Sequence, residues 1–245
     1  MPEATLASNA LLQALEPSAR ARFLPRFQRI ELRRRQTLHH PGQLAETVYF
    51  PLSGLVAVLS ETLDGDSVQT GMVGCDGAVG AFEAFVGGQY FCKGVVQVPG
   101  EALRLSATSY RELFNASTVF RSAGERYIEM LLTEARQCVV CNALHPVESR
   151  LIRSILDVLD RSCIDGALPL TQETLAQMLG AQRTTIAVAM SKLQRAGLIK
   201  SGRGAVEIRD KATLERLACN CRKTLQLART EIHNLHAEPR RMQSG

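Results

Sequence analysis

The sequence has no hydrophobic run long enough to cross a membrane, because no stretch approaches the roughly eighteen consecutive apolar residues that a spanning helix needs. The N-terminal segment also lacks the basic and then apolar layout of a secretory signal. Both absences predict a cytoplasmic protein with no membrane partner.

Signatures of catalysis are missing as well. The sequence contains no P-loop, no glycine-rich dinucleotide-binding fingerprint and no serine–histidine–aspartate arrangement. No carboxylates stand out in a catalytic pattern. We therefore do not expect an enzyme.

What the sequence has instead is length and clustered basic charge. Its 245 residues, 45% of them hydrophobic, suffice for two domains with their own cores. The formal net charge is +5, and basic residues form two stretches. The stretches are Arg20, Arg22, Arg26, Arg29 and Arg33 to Arg35, and then Arg183, Lys192, Arg195, Lys200, Arg203 and Arg209. Such clusters suit a polyanionic partner but do not identify one by themselves.

The first half of the chain has the pattern of short strands. Between residues 27 and 105, β-rich runs alternate with turns such as Asp64-Gly65-Asp66 and Pro99-Gly100. The runs are residues 47–50, 55–59, 68–73, 95–98 and 101–105. Strands this short, at this turn spacing, predict an all-β barrel or sandwich.

Residues 119–142 contain no proline and predict a long helix. Small and apolar residues recur along it in steps of four and three, close to the repeat with which a helix packs against a copy of itself. The predicted dimer-interface residues are Gly124, Ile128, Leu131, Ala135, Cys138 and Asn142. The alternative is a core helix that packs only against its own β domain.

Residues 171–199 have the spacing of a helix-turn-helix unit. Thr171 is a good N-cap for the first helix, and Gly180 suits the turn that follows it. In the second helix, the residues expected to face inward are Ile186, Ala189, Met190 and Leu193. Residues 199–208 then predict a β-hairpin with a basic turn, the wing, which suits phosphate contacts. The alternative is a winged-helix module that binds no DNA.

With these elements in this order, the chain resembles the Crp/Fnr superfamily of bacterial transcription regulators over roughly residues 10–220. The resemblance is carried by Gly42, Val48-Tyr49-Phe50, Gly54, Gly77, Gly80 and the stretch from Leu170 to Leu193. Cys141-Asn142, the stretch from His145 to Arg150, and Cys219-Asn220-Cys221 resemble one subgroup of that family.

The resemblance implies an α+β fold in four parts. These are an N-terminal double-stranded β-helix (jelly-roll) sensor domain in residues 1–116, a dimerisation helix in 117–145, a winged helix-turn-helix domain in 146–222, and a C-terminal helical extension and tail in 223–245. It also implies a homodimer that regulates transcription on a palindromic operator of double-stranded DNA, with RNA polymerase as a further partner.

The resemblance also implies roles in DNA binding. Arg183 falls on the family's arginine that reads a guanine in the major groove. Thr184 and Val188 replace a glutamate and an arginine that are common there, so we expect an operator that departs from the usual one and suggest contacts with thymine methyl groups. The predicted DNA-binding residues are Thr171, Gln172, Gln182, Arg183, Thr184, Thr185, Val188, Lys192 and Arg203.

An effector site is implied in the sensor domain, at Gly77, Ala78, Val79, Gly80, Cys92 and Lys93. Ala78 stands where members that bind cyclic nucleotides carry a glutamate for the ribose, and residues 91–94 lack the arginine that grips the cyclic phosphate. We therefore expect a small-molecule effector other than cyclic AMP bound in the usual way. No cysteine precedes Cys75, which argues against an N-terminal iron–sulfur cluster, and His39-His40 is interpreted as an exposed pair rather than a haem site. We expect no cofactor.

Four of the seven cysteines form two close pairs, Cys138/Cys141 and Cys219/Cys221. They allow three interpretations: packing residues, a thiol redox or metal sensor that His145 could join, and a Cys138–Cys138 disulfide across the dimer. We favour packing and predict no metal ligand. The alternative function is the same scaffold acting mainly as a sensor through these cysteines.

Overall fold

A computed structural model describes residues 6–237, with side chains up to residue 232. The strands are β1 (Gln28–Leu32), β2 (Thr37–His39), β3 (Thr47–Pro51), β4 (Leu55–Glu61), β5 (Ser67–Val73), β6 (Lys93–Val98), β7 (Gly100–Ser106), β8 (Ile199–Gly202) and β9 (Ala205–Ile208). The helices are α1 (Ala10–Gln13), α2 (Pro17–Phe23), α3 (Ala81–Val86), α4 (Ala107–Ala116), α5 (Thr118–Leu144), α6 (Val147–Ser162), α7 (Gln172–Leu179), α8 (Arg183–Arg195), α9 (Lys211–Leu217) and α10 (Cys221–Ala237), with a 3-10 turn at Leu24–Arg26. The predicted tail lies outside the described residues.

The sensor domain is built from two antiparallel sheets, ordered β1-β7-β3 and β2-β6-β4-β5. Their inner faces bury apolar side chains such as Phe50 of β3 and Val56 of β4. Gly54 joins these strands with a φ of +82°, and a Cβ there would lie 2.6 Å from the carbonyl oxygen of Val98, so only glycine fits. The predicted double-stranded β-helix is confirmed, and each of the five predicted runs lies within a strand.

Four short helices in the sensor domain, α1 to α4, were not predicted. They are too short for an apolar period to stand out from the surrounding strands. Helices α2 and α4 nevertheless supply large aromatic side chains, Phe23, Tyr110 and Phe114, to the core that contains Phe50 and Phe120. The helices therefore close one side of the roll.

The long helix α5 begins at a cap, because the Ser117 hydroxyl accepts a hydrogen bond from the Phe120 amide at 3.1 Å. It ends at His145, after which Pro146 has extended backbone angles. The first part of α5 packs on the sensor domain, where Phe120 and Ala123 are buried. The predicted helix over residues 119–142 is confirmed with slightly wider bounds.

Helices α6 to α9 and the β8–β9 hairpin form the DNA-binding domain, whose core includes Leu151, Ile155, Leu175, Ile186, Leu193 and Val206. Its first helix is anchored on the sensor domain. The carbonyl of Ser162 accepts a hydrogen bond from the Gly54 amide at 2.7 Å, and that of Arg161 accepts one from the Cys75 amide at 2.9 Å. The C-terminal end of α6 is therefore held against the β-roll.

Beyond the wing, residues 211–237 form two helices, α9 and α10, with a short break between them. The chain is extended at Ala218, with ψ of 151°, which ends α9 and starts a turn before α10. Helix α10 then packs along α5, with Leu225 and Ile232 against Met130. An amphipathic pattern shows that the segment is helical but does not locate a break of this kind, since no proline or glycine marks it.

Candidate DNA-binding surface and effector cavity

Helix α8 presents one apolar face inward and one polar face outward. The predicted inward residues Ile186, Ala189, Met190 and Leu193 are buried. The opposite face leaves Arg183, Thr184 and Thr185 exposed at the start of the helix, and Val188 is 58% exposed further along. Such an outward face on a rigid helix is the part of a helix-turn-helix that enters a major groove.

The turn between α7 and α8 has the predicted geometry. The Thr171 hydroxyl accepts a hydrogen bond from the Thr174 amide at 3.0 Å, which caps α7. Gly180 ends α7 in the left-handed region, with φ of +56°. Gln182 precedes α8 without a side-chain cap, so the first amides of α8 are available to a phosphate oxygen.

The wing is a tight hairpin whose turn residues, Arg203 and Gly204, both have positive φ values of +50° and +77°. Two consecutive positive φ angles are typical of a type I′ turn. This turn places the exposed Arg203 at the tip of the hairpin, next to the exposed Lys200 in β8. The wing therefore carries positive charge away from the domain core.

The predicted DNA-binding residues are not equally available. Among residues 6–232, no side-chain hydrogen bond or ion pair engages Arg183. In contrast, the Lys192 ammonium lies 3.0 Å from the Glu148 carboxylate, and Gln172 is only partly exposed. Lys192 is thus already paired within the chain, while Arg183 is ready for an external acceptor.

A cavity of about 400 Å³ lies between the β-roll and α5. Four predicted effector-site residues line it: Ala78, Val79, Gly80 and Cys92. Its other walls come from β5, α3 and the part of α5 that includes Ile128, Leu131 and Leu132. The sensor domain therefore has a chamber that opens onto the long helix.

Two predicted effector residues, Gly77 and Lys93, do not line the cavity, and this corrects the prediction. A Cβ at Gly77 would lie 2.2 Å from the ring of Tyr127, so that space is filled by α5. The ammonium of Lys93 lies 3.7 Å from the carboxylate of Glu61 on the neighbouring strand. The sequence did not predict these positions because each is decided by a contact with a residue distant in the chain, Tyr127 for Gly77 and Glu61 for Lys93.

The charged groups that line the cavity are acidic. Glu83 and Glu134 contribute carboxylates, and no arginine or lysine lies in the wall. Burial raises the pKa of Glu83 above its usual range. A wall of this composition offers no positive partner to a cyclic phosphate.

His39 also lines the cavity, and it is buried rather than exposed as expected. Its ring stacks on Tyr90 with 3.7 Å between the ring centroids, and its Nδ1 lies 3.1 Å from the carbonyl oxygen of Cys92. Burial lowers the pKa of His39 to about 4. The imidazole is therefore neutral near pH 7, and its neighbour His40 is the exposed member of the pair.

The predicted dimer face of α5 needs one correction at its start. Gly124 is buried in its own chain, where a Cβ would lie 2.6 Å from the ring of Phe114, so it faces α4 instead of a second copy. Further along, the strongly exposed apolar residues are Leu132, Val139 and Leu144, at 51%, 70% and 73%. Of the remaining predicted interface residues, Ile128, Leu131 and Cys138 are partly buried, and Ala135 and Asn142 are exposed.

Three cysteines and one histidine meet where α5 ends. The donor atoms of Cys141, His145, Cys219 and Cys221 all lie within 4.8 Å of one another. Cys138, expected to act with Cys141, is not in this group. These four residues belong to one of the alternatives that the sequence allowed, but packing was favoured there, because spacing alone does not bring Cys219 and Cys221 to the end of α5.

Glu83, Glu134 and Tyr127 are further residues around the cavity that sequence reasoning missed. Glu134 pairs with Arg161 of α6, and Arg161 lies 3.4 Å from Asp76 of the sensor domain. Asp76, Glu134 and Arg161 come from three distant segments of the chain, and a local sequence pattern does not predict such a contact.

Comparisons with known proteins agree with this architecture. The family model of the cyclic nucleotide-binding domain matches residues 29–117, and that of the Crp-like helix-turn-helix domain matches residues 149–217. The Cyclic AMP receptor protein of Thermus thermophilus is 23% identical over 208 residues, which cover 85% of this chain and 96% of the relative. The CRP-like cAMP-activated global transcriptional regulator of Mycobacterium tuberculosis is 24% identical over 219 residues, which cover 87% and 98%.

Solved structures share the fold. FixK2 from Bradyrhizobium japonicum superposes with a TM-score of 0.68 at 16% identity, covering 79% of this chain and 98% of that one. The c-di-GMP responsive global regulator CLP from Xanthomonas campestris has a TM-score of 0.62 at 22% identity, with coverage of 79% and 99%.

A β-roll of the cyclic nucleotide-binding type, a long connecting helix and a winged helix-turn-helix together define a DNA-binding transcription regulator. The chain belongs to the Crp/Fnr superfamily. One of its curated relatives is named as a global transcriptional regulator, which agrees with this class. In the part of the chain that the structure describes, no helix is both long and apolar enough to span a membrane.

Proposed function

We propose that the protein regulates transcription by binding a palindromic operator as a homodimer, with one α8 in each of two successive major grooves. The observation that carries this proposal is Arg183 at the start of α8, which is exposed, has no ion-pair or hydrogen-bond partner among residues 6–232, and lies next to the uncapped helix N-terminus. A guanidinium there bonds to the two acceptors of a guanine, while the first amides of α8 and Arg203 of the wing contact phosphates. Once bound, the dimer acts by recruiting or obstructing RNA polymerase.

Selection from a random duplex library with the full chain tests this function. We expect enrichment of two-fold symmetric sites whose half-sites lie about one helical turn, roughly 34 Å, apart. Because Thr184 and Val188 offer methyl groups, thymine should be preferred within each half-site. Enrichment of the family's usual half-site would contradict that preference, and failure to enrich any symmetric site would contradict the function.

The dimer interface that we propose follows the exposed stripe of α5 that includes Leu132 and Val139. Leu132 and Val139 are apolar and exposed on the same helix, so their burial against a second copy is favourable. A leucine side chain such as that of Leu132 contributes about 2 kcal/mol when it is buried. Leu132→Glu should therefore convert dimers to monomers in sedimentation experiments. Leu63→Glu is the matched control, because Leu63 lies fully exposed in the β4–β5 turn. A dimer that survives Leu132→Glu would contradict this interface.

The effector that we propose is an uncharged or cationic small molecule, because Glu83 and Glu134 are the charged groups in the wall of the cavity. Calorimetric titration with cyclic AMP and with c-di-GMP probes this directly. We expect no binding heat from either nucleotide, since their phosphates would meet the carboxylates in the wall, while the nearby Arg161 and Arg229 are already paired with Glu134. Tight binding of one cyclic AMP per chain would contradict the proposal.

The signal from this cavity reaches the DNA-binding domain, in our proposal, through Arg161. This guanidinium pairs with the cavity residue Glu134, lies 3.4 Å from the Asp76 carboxylate and donates to the carbonyl of Met72 at 3.1 Å. An effector that engages Glu134 competes with Arg161 and so loosens α6 from the sensor domain. In this proposal α6 has two positions, one held against the sensor domain and one released from it, and the effector shifts the equilibrium between them.

A further inference from the structure

The end of α5 and the turn before α10 bring four potential metal ligands together. The Sγ atoms of Cys141 and Cys219 lie 3.5 Å apart, and the Sγ of Cys221 lies 3.4 Å from the Nδ1 of His145. Tetrahedral zinc with Zn–S near 2.3 Å and Zn–N near 2.0 Å places its ligand atoms about 3.5 to 3.8 Å from one another. The two shortest separations match those of a zinc site, and since all four donor atoms lie within 4.8 Å of one another, small side-chain shifts bring the rest to this distance.

The surroundings of the four ligands fit a closed site. Cys141, Cys219 and Cys221 are 0%, 6% and 2% exposed, and His145 is partly buried. A full set of four ligands in a shielded position is typical of structural zinc and leaves no position for a reacting water. Three sulfurs with one imidazole also favour zinc over the hard cations magnesium and calcium.

Neighbouring side chains suit the charge of such a site. Three thiolates around a divalent ion leave one excess negative charge, and the buried Arg153 interacts electrostatically with Cys141 and Cys219. The Gln137 side chain donates a hydrogen bond to the sulfur of Cys221 at 3.0 Å. Residues around the ligands of a metal, such as Arg153 and Gln137 beside these cysteines, orient the ligands and stabilise the thiolate charge.

We propose that Cys141, His145, Cys219 and Cys221 form a structural zinc site that locks the DNA-binding domain to the long helix. Cys141 lies in the last turn of α5, His145 at the hinge before α6, and the other two cysteines between α9 and α10. A zinc ion thus joins the two ends of the DNA-binding domain to α5 and fixes the point from which α10 runs back. The zinc ion therefore sets the orientation of the DNA-binding domain relative to α5, and it does so independently of the effector cavity.

Metal analysis of the full chain, purified under reducing conditions, tests the site. We expect one zinc ion per chain in the natural protein and a loss of most of it in Cys221→Ser. Cys138→Ser is the matched control, because Cys138 lies on the same helix as Cys141 but outside the cluster, and its zinc content should stay unchanged. His145→Cys should retain zinc, since a fourth thiolate replaces the imidazole.

A metal-free protein prepared with a chelator gives a measurement that does not depend on variants. Added cobalt(II) should produce the visible absorption of tetrahedral cobalt thiolate, and zinc should abolish it. Absence of zinc from the reduced natural protein together with no cobalt spectrum would overturn the site, as would equal zinc loss in Cys138→Ser and Cys221→Ser.

The locking role has its own readout in hydrogen exchange. Removal of zinc should accelerate amide exchange at residues 141–147 and 218–222, because both segments are held by the ion. Unchanged exchange in those segments after verified zinc removal would overturn the locking role.

Discussion

The DNA-binding surface and the effector cavity differ in how many parts of the chain build them. The groups proposed to contact DNA stand on one helix and one hairpin, and they point away from the core. The cavity instead joins residues from the β-roll and α5, such as Met72 and Ile128. Changes at the DNA surface should therefore alter binding without altering stability, whereas changes around the cavity should alter both.

The largest loss of stability should come from substitution of Arg161, which connects the cavity to α6. Arg161→Met removes the more buried of the two guanidiniums that pair with Asp76 and Glu134. The other, Arg229, is 51% exposed and compensates these carboxylates only in part, so the free energy of unfolding should fall by about 3 kcal/mol. Urea unfolding measures it. Arg29→Met removes an exposed arginine that pairs with Glu101 and should leave the free energy of unfolding almost unchanged, because exposed ion pairs contribute little to stability. Equal losses in the two variants would remove the distinction between cavity and surface.

The second-largest change in the free energy of unfolding should come from protonation of the buried His39. Its pKa is about 4 in the folded protein, against about 6.5 when unfolded. Because the folded value is the lower one, its contribution to the unfolding free energy is complete above pH 6.5 and is lost as the pH falls towards 4. The loss amounts to at most about 3 kcal/mol.

Urea unfolding between pH 7 and pH 4 isolates this contribution. The decline in stability with falling pH should be shallower in His39→Gln than in the natural protein. His40→Gln, which changes the exposed neighbour, should leave the decline unchanged. Identical pH profiles for all three proteins would contradict a buried, neutral His39.

The smallest effect should come from the wing. Arg203→Ala removes one phosphate contact per chain, so binding should weaken by a similar factor on all DNA sequences and the slope of log affinity against log salt should fall by about one per contact. Arg209→Ala is the control, because Arg209 already pairs with Glu207 at 3.1 Å. Sequence-dependent losses in Arg203→Ala would instead assign the wing a role in base reading.

The sequence allowed the helix-turn-helix to be predicted because its determinants are local. Thr171, Gly180 and Leu193 lie within 23 residues, and each has a backbone or packing requirement that its residue type satisfies. The strand runs and turns likewise allowed an all-β domain to be predicted, whereas its double-stranded β-helix topology was implied by the family resemblance. The local features need no knowledge of which distant segments meet.

The site residues that sequence reasoning misplaced all depend on distant contacts. Gly77 is covered by Tyr127, which is 50 positions further along the chain. Cys138 and Cys141 are both on α5, and only the turn before α10 decides that Cys141 meets Cys219. Helical spacing defines the faces of α5 but not what packs against each face.

The most direct test of the account is the affinity of Arg183→Ala for the selected operator. We expect a loss of about 1–3 kcal/mol, roughly tenfold to a hundredfold, together with relaxed preference at one base pair of each half-site, and unchanged urea stability. Arg195→Ala, at the exposed far end of α8, should retain both affinity and preference. An Arg183→Ala protein that binds the operator as tightly and as selectively as the natural protein would contradict the central claim that α8 reads DNA through Arg183.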